Sequence, residues 1–157
     1  MTTYVDSSVL VAVYVPERFS KAARRVVGGT PQVPFTWLHE LEVANAFGML
    51  LGRGLISSAE HRAIHAHLQE DLESQRLRRL PLDWDRVFAK ACDLSVAHTV
   101  QQLTRSLDLL HVAAAHTAAC HSFVSADDRQ LAVAKAAGLA ITDIKRRVPR
   151  IKRWSRS

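Results

Sequence analysis

Several familiar signatures of function are missing from this 157-residue chain. Its two cysteines, Cys92 and Cys120, fit neither a disulfide framework nor a CxxC metal site, and their alanine-rich surroundings indicate small buried side chains. The chain has no GxGxxG motif, no phosphate-binding loop and no Gly-x-Ser-x-Gly elbow. No apolar run is long enough to span a membrane, and no basic region is followed by an apolar signal segment. We therefore expect a cytoplasmic protein that makes no membrane contact.

Positive charge is concentrated at the C-terminus. Hydrophobic residues make up 48% of the chain and charged residues 23%, as in an ordinary soluble domain, and the net charge is +6. Residues 145–157 contain seven lysines and arginines and no acids, whereas the rest has 14 basic and 15 acidic residues. We therefore predict one domain over 1–144 and a basic tail over 145–157. Such a tail suits a polyanion such as nucleic acid, or serves as a solubilising chain end.

Short apolar runs alternate with longer helical patterns along the chain. Strands are predicted at 3–6, 32–35, 78–82, 121–125 and 139–142. Helices are predicted at 7–15, 17–27, 37–51, 57–75, 84–98, 107–119 and 127–137, whereas 99–105 is less regular. Strands separated by helices predict an α/β fold, in which a central, mainly parallel sheet of about five strands forms a three-layer α/β/α sandwich.

The helix over 37–51 has two informative stripes. A 3.6-residue period predicts the buried face of this helix, and the residues at that spacing are Trp37, Leu41, Ala44, Phe47 and Leu51. Helical spacing also places Glu42 and Asn45 on one stripe, so these two polar side chains are predicted to point the same way.

Four acidic residues stand in apolar surroundings, where an isolated charge costs free energy. Asp6 ends the first strand and Asp127 follows the fourth, at the sheet edge where open α/β folds bind ligands. Glu42 lies in the third helix, and Asp108 begins the most apolar one. Helix capping, the helix dipole or an ion pair could explain each acid alone. Together they predict a site for a hard cation, because oxygen-only ligand sets select Mg²⁺ or Mn²⁺.

The motifs around these acids resemble those of a known family. They are Val5-Asp6-Ser7-Ser8, Glu42-Val43-Ala44-Asn45-Ala46, Thr104-Arg105-Ser106-Leu107-Asp108 with His111 behind it, and Val124-Ser125-Ala126-Asp127. In order and spacing, over about residues 2 to 143, the sequence resembles the PIN-domain ribonucleases. It is most similar to the VapC toxins of bacterial type II toxin–antitoxin systems.

The resemblance implies a Mg²⁺-dependent endoribonuclease, with Mn²⁺ as a substitute, that cleaves RNA as a homodimer and is inhibited by a cognate antitoxin. It implies that the catalytic residues and metal ligands are Asp6, Glu42, Asp108 and Asp127. Ser8 (or Ser7) and Ser125 are expected to orient carboxylates, and Asn45 to assist Glu42. Arg105 is expected either to contact a substrate phosphate or to balance the charge of the acids. We interpret His111 as a residue that positions Asp108.

Other interpretations remain open from the sequence. The chain could be a PIN nuclease of RNA processing rather than a toxin, or an inactive PIN-like module that binds RNA or protein. A phosphatase of the haloacid-dehalogenase type needs a second Asp two residues after the first, where Ser8 stands. His61 and His65 are four apart, but Arg62 occupies the position at which a zinc protease needs Glu, so a solvated helix face is predicted.

Overall fold

The computed structural model describes residues 1–147, so the tail residues 148–157 lie outside the described part. The strands are β1 (Thr3–Val5), β2 (Val33–Phe35), β3 (Leu77–Arg79), β4 (Ser122–Ser125) and β5 (Ala140–Asp143). The helices are α1 (Ser7–Tyr14), α2 (Ser20–Gly28), α3 (Trp37–Gly52), α4 (Ser58–Glu73), α5 (Trp84–Gln102), α6 (Ser106–Thr117) and α7 (Asp128–Ala136). A short 3-10 turn, Ile144–Arg147, follows β5.

The sheet is parallel and divides into two hydrogen-bonded groups. β1, β4 and β5 form one group in the order β1-β4-β5, and β2 pairs with β3 in the other. Every strand pairing in residues 1–147 is parallel. β1 and β2 are neighbours in space, although no ladder joins them in the described structure. The predicted α/β class and mainly parallel five-strand arrangement are confirmed.

Pro34 explains why the ladder stops between β1 and β2. The Val33 N–H donates to the Arg76 carbonyl at 2.8 Å, on the β3 side. Because successive residues of a strand direct their backbone groups to opposite neighbours, Pro34 faces β1. Its ring nitrogen has no hydrogen to donate, so the ladder cannot continue on that side.

His39 supplies the hydrogen bond that Pro34 cannot. Its Nε2 donates to the Val5 carbonyl oxygen at 2.7 Å. Its Nδ1 accepts from the Thr36 backbone N–H at 3.1 Å, and the Thr36 hydroxyl accepts from the His39 N–H at 3.4 Å. This is a capping box with histidine in place of the usual Glu or Gln. The start of α3 is thereby tied to the strand end that carries Asp6.

The sheet separates two apolar cores. Val5 and Val124 point into the core formed with α1 to α4. Tyr4 and Phe123, whose rings stack at 5.6 Å between centroids, point into the core formed with α5 to α7. Since neighbouring side chains of a strand alternate between faces, these pairs give each side of the sheet its own layer of helices. The predicted three-layer sandwich is confirmed.

The predicted buried stripe of α3 is wrong except at Phe47. Trp37 is 64% exposed and Leu41 66% exposed. The buried stripe instead contains His39, Val43 and Phe47, which are spaced four residues apart. The physical reason is the bond from His39 to β1, which turns this stripe toward the sheet and leaves Trp37 outside.

Two smaller expectations also fail. The segment 99–105 is mostly helical, because α5 continues to Gln102 and ends at Leu103, whose φ of 52° is left-handed. Cys92 is exposed on α5, while Cys120 is buried as expected. At the end of the described chain, Lys145 pairs with Asp128 at 2.7 Å. The proposed boundary between residues 144 and 145 stays a prediction.

Burial lowers the pKa of His39 well below its usual value, and the neighbouring His111 lowers it further. The unfolded chain therefore binds a proton near pH 6.5 that the folded protein does not accept. We expect the free energy of unfolding to keep its full value above that pH. As the pH drops further, this one group should lower it by up to about 1.4 kcal/mol per pH unit. His39→Gln retains a donor for Val5 and an acceptor for Thr36, and should make the free energy of unfolding less dependent on pH.

Urea unfolding of both proteins between about pH 5 and pH 8 measures this difference. The matched control is His121→Gln, which changes an exposed histidine and should retain the wild-type slope. An equal slope in wild type and His39→Gln would show that His39 does not carry the pH dependence.

Candidate active site

Asp6 stands where β1 ends and α1 begins. Its backbone N–H extends the ladder by donating to the Val124 carbonyl at 2.9 Å. It occupies the N-cap position of α1, but its carboxylate makes no capping hydrogen bond. The side chain is nevertheless buried, at 7% exposure for the residue. The capping explanation therefore does not account for this carboxylate.

Two uncharged side chains hold the two oxygens of Asp6. The Ser8 hydroxyl donates to Oδ2, and Gln130 Nε2 donates to Oδ1 at 3.4 Å. Ser8 therefore contacts a carboxylate as the sequence predicts. Ser7, the alternative considered for that role, bonds Glu42 instead.

Glu42 reaches the same region from α3. Its Oε2 accepts from the Ser7 hydroxyl at 2.8 Å and from His111 Nε2. Burial raises the pKa of Glu42, but the hydrogen bonds from His111 and Ser7, aided by the charge of Arg105, outweigh it and lower the pKa below its usual value. The Glu42 side chain is therefore a negatively charged carboxylate at neutral pH.

A buried chain of hydrogen bonds continues behind Glu42. The Tyr4 hydroxyl lies 2.9 Å from His111 Nδ1, and burial raises the pKa of Tyr4 well above its usual value, so the phenol retains its proton. An ionised carboxylate only accepts hydrogen bonds, so His111 Nε2 carries the hydrogen shared with Glu42. The same Nε2 is 3.9 Å from Asp6 Oδ1. The imidazole of His111 therefore lies beside both Asp6 and Glu42.

The expected contact between His111 and Asp108 is wrong. His111 bonds Glu42, Ser7 and Tyr4. The Asp108 carboxylate is held instead by Arg105, one turn earlier, whose Nε and Nη2 lie 2.8 and 3.4 Å from its two oxygens. The hydrogen bond and charge of Asp108 raise the pKa of Arg105, and Asp127 and Asp6 add to this effect. The guanidinium therefore balances the acidic region.

Asp127 caps the last helix. Its Oδ1 accepts from the backbone N–H groups of Arg129 at 2.8 Å and Gln130 at 3.1 Å. The Ser125 hydroxyl accepts from the Asp127 backbone N–H at 3.0 Å, so it orients the backbone rather than the carboxylate. The capping explanation applies to Asp127, and its role as a metal ligand stays a prediction.

Asn45 is not brought into this network. It is exposed on α3, and its amide contacts Met49 Sδ at 3.7 Å. Gln130 and Tyr4 also belong to this network and were not predicted from the sequence. A glutamine three residues after Asp127, beside apolar residues of the same helix, was the available signal for Gln130.

The donor chemistry of the site fits a hard cation. The candidate ligands are carboxylate oxygens, and Asp6 is held by uncharged donors. Thr104, next to Arg105, has a buried hydroxyl with no partner among the described residues, and such atoms are ordinarily satisfied by water, an ion or a ligand. Within residues 1–147, no group of three or more His, Cys, Asp or Glu side chains is arranged to hold a metal. Asp108 instead pairs with Arg105, and Asp127 caps α7.

Comparison with known proteins identifies the family. The PIN domain model matches residues 3–136, and the chain belongs to the PIN domain family. PIN domains are generally nucleases that use divalent metal ions, which supports a hydrolase acting on phosphodiester bonds. The resemblance of the sequence motifs to this family is confirmed.

Several solved structures share the fold. One of them is FitAcB from Neisseria gonorrhoeae, with a TM-score of 0.66 and 12% identity, over 92% of this chain and 99% of that chain. No curated protein sequence matches the chain. Among the helices of residues 1–147, none is long and apolar enough to cross a membrane.

The capping role of Asp127 can be separated from a catalytic one. With EDTA present, we expect Asp127→Ala to lower the free energy of unfolding by about 1 kcal/mol, because two backbone N–H groups lose their acceptor. Asp127→Asn keeps a capping oxygen and should unfold like the wild type. Urea titration of the three proteins measures this. Equal stability of Asp127→Ala and wild type would contradict the cap.

Proposed function

We propose that this protein is a Mg²⁺-dependent endoribonuclease and the toxin of a type II toxin–antitoxin pair, acting in the cytoplasm. The observation that carries the proposal is the convergence of Asp6 and Glu42 on the buried His111, with uncharged donors on Asp6. Membership of the PIN family supports nuclease activity. The VapC-like order of the four acidic motifs supports RNA as substrate and the role of toxin.

In this proposal Asp6, Glu42, Asp108 and Asp127 hold the ion, in part through water. When bound, the ion would lower the pKa of a coordinated water and offset negative charge on the phosphate oxygens. Tyr4 and His111 fix the position of Glu42, and Ser8 fixes Asp6. The exposed Arg105 can exchange Asp108 for a substrate phosphate, since guanidinium binds both groups in the same way. The products would have 5′-phosphate and 3′-hydroxyl ends.

The inhibitory partner would be an antitoxin whose C-terminal segment enters the groove at these carboxylates, as the VapC resemblance implies. A nuclease of RNA processing would have the same site and no such partner. An inactive module would bind RNA or protein without using the ion. A short DNA-binding protein encoded directly upstream would favour the toxin over both alternatives.

We expect purified protein to cleave RNA with Mg²⁺ and to stop when EDTA is added. Asp6→Asn and Asp108→Asn should each lower the rate roughly 100-fold or more, equivalent to about 3 kcal/mol of barrier, because each removes a negative oxygen ligand. Gel analysis of a labelled RNA measures the rate, and end-labelling identifies the product ends.

The matched control is Asp93→Asn, which removes an exposed carboxylate on α5 and should leave cleavage unchanged. Circular dichroism should show that Asp6→Asn keeps the fold, since its carboxylate caps no helix. Wild-type rates for Asp6→Asn or Asp108→Asn would overturn the assignment of these ligands. Cleavage that persists in EDTA would overturn the metal dependence.

We also propose a homodimer. α5 carries solvent-facing apolar side chains at Phe88, Val96 and Val100, and the exposed Leu103 caps its end; Val96 is 87% and Val100 86% exposed. On α3, Trp37 and Leu41 are also exposed. Large apolar side chains in such number on one helix are typical of a surface covered by another molecule. A second copy of the chain is the occupant that the VapC resemblance implies.

Val96→Glu should weaken the dimer at least about tenfold, because it places an unpaired charge in the interface. Light scattering after size exclusion, over a range of protein concentrations, measures the oligomeric state. Leu55→Glu changes an equally apolar but separate exposed position, 66% exposed between α3 and α4, and should remain dimeric. A wild-type monomer, or a dimeric Val96→Glu, would contradict this interface.

A further inference from the structure

Gln130 is a polar side chain enclosed by the protein. It lies in α7 at 0% exposure, next to the buried Leu131 and near the buried Val133. A buried amide without partners destabilises a fold by about 1–3 kcal/mol, so an apolar residue would be the stable choice if this position only filled the core. Its hydrogen bonds indicate why an amide is there.

The Gln130 amide connects three segments that carry the predicted site. Its Oε1 accepts from the Ser125 hydroxyl at 2.8 Å, at the end of β4. Its Nε2 donates to Asp6 Oδ1 at 3.4 Å, after β1, and to the Asp108 carbonyl oxygen at 3.3 Å, in the first turn of α6. Carboxylate and carbonyl oxygens only accept, so the NH₂ group must face Asp6 and Asp108. The orientation of the amide is thereby determined.

The absence of charge on this donor matters for a cation site. Arg105 shows the alternative, because its guanidinium pairs with both oxygens of Asp108 and balances that carboxylate. A lysine or arginine at position 130 would do the same to Asp6 and compete with a metal ion. A glutamate would repel Asp6. Glutamine holds the carboxylate in place and leaves its negative charge available.

We propose that Gln130 is a positioning residue for the metal site. Its amide orients the Asp6 carboxylate for the ion. The same amide sets the distance between Asp6 and the first turn of α6, which contains Asp108. Ser8 holds the other oxygen of Asp6, so the two contacts together prevent rotation of the carboxylate. This inference rests on the proposed metal-dependent function and adds a residue outside the four acidic motifs.

The test compares Mn²⁺ binding in wild type, Gln130→Met and Thr3→Val by calorimetry and by the Mn²⁺-induced rise in Tm. Gln130→Met keeps the length of the side chain and removes its hydrogen bonds. Thr3→Val is the matched control, because it removes the 2.8 Å bond from Thr3 to Ser122 at the other end of β1 and β4. We expect Gln130→Met to weaken Mn²⁺ affinity on the order of tenfold and Thr3→Val to leave it unchanged.

A purely structural role would lower the metal-free Tm of both variants and leave both Mn²⁺ affinities at the wild-type value, which would overturn the inference. Wild-type protein that binds no Mn²⁺ would overturn the proposed function and this inference together. If Gln130→Met does not fold, NMR of the Gln130 side-chain amide in the wild-type protein tests the inference instead. Its NMR signals should shift on saturation with Mg²⁺, and signals that do not move would overturn the inference.

Discussion

A negative charge enclosed at the end of β1 is the constraint on which this site depends. Asp6 is buried, and a buried carboxylate is tolerated only when hydrogen-bond donors replace the water it has lost. Ser8 and Gln130 provide these donors without adding positive charge. The arrangement satisfies the oxygens and preserves their attraction for a cation.

Glu42 is held by a different set of hydrogen bonds. Its carboxylate ends a chain of buried groups that runs through His111 to Tyr4, while Ser7 donates from α1. α3 can deliver Glu42 there because His39 fixes the rotation of the helix against β1. The bond made by His39 replaces a ladder contact that Pro34 prevents. A break in the sheet is therefore what ties the helix carrying Glu42 to the strand carrying Asp6.

The other two acids combine structural and proposed catalytic roles. Asp127 uses one oxygen to cap α7. Asp108 pairs with Arg105, whose side chain is exposed. Local explanations and a metal site are therefore compatible, because a carboxylate has more acceptor positions than one cap uses.

The sequence by itself determined the order of strands and helices, because buried strands appear as short apolar runs and helices as a 3.6-residue period. It also placed two of the four acids at strand ends. Tertiary structure alone decided which side chains meet. His39 bonds β1 across 34 positions, His111 bonds Glu42 across 69, and Gln130 bonds Asp6 across 124. Periodicity describes the faces of one element, whereas these bonds depend on how separate elements are rotated against each other, and that rotation is set by packing.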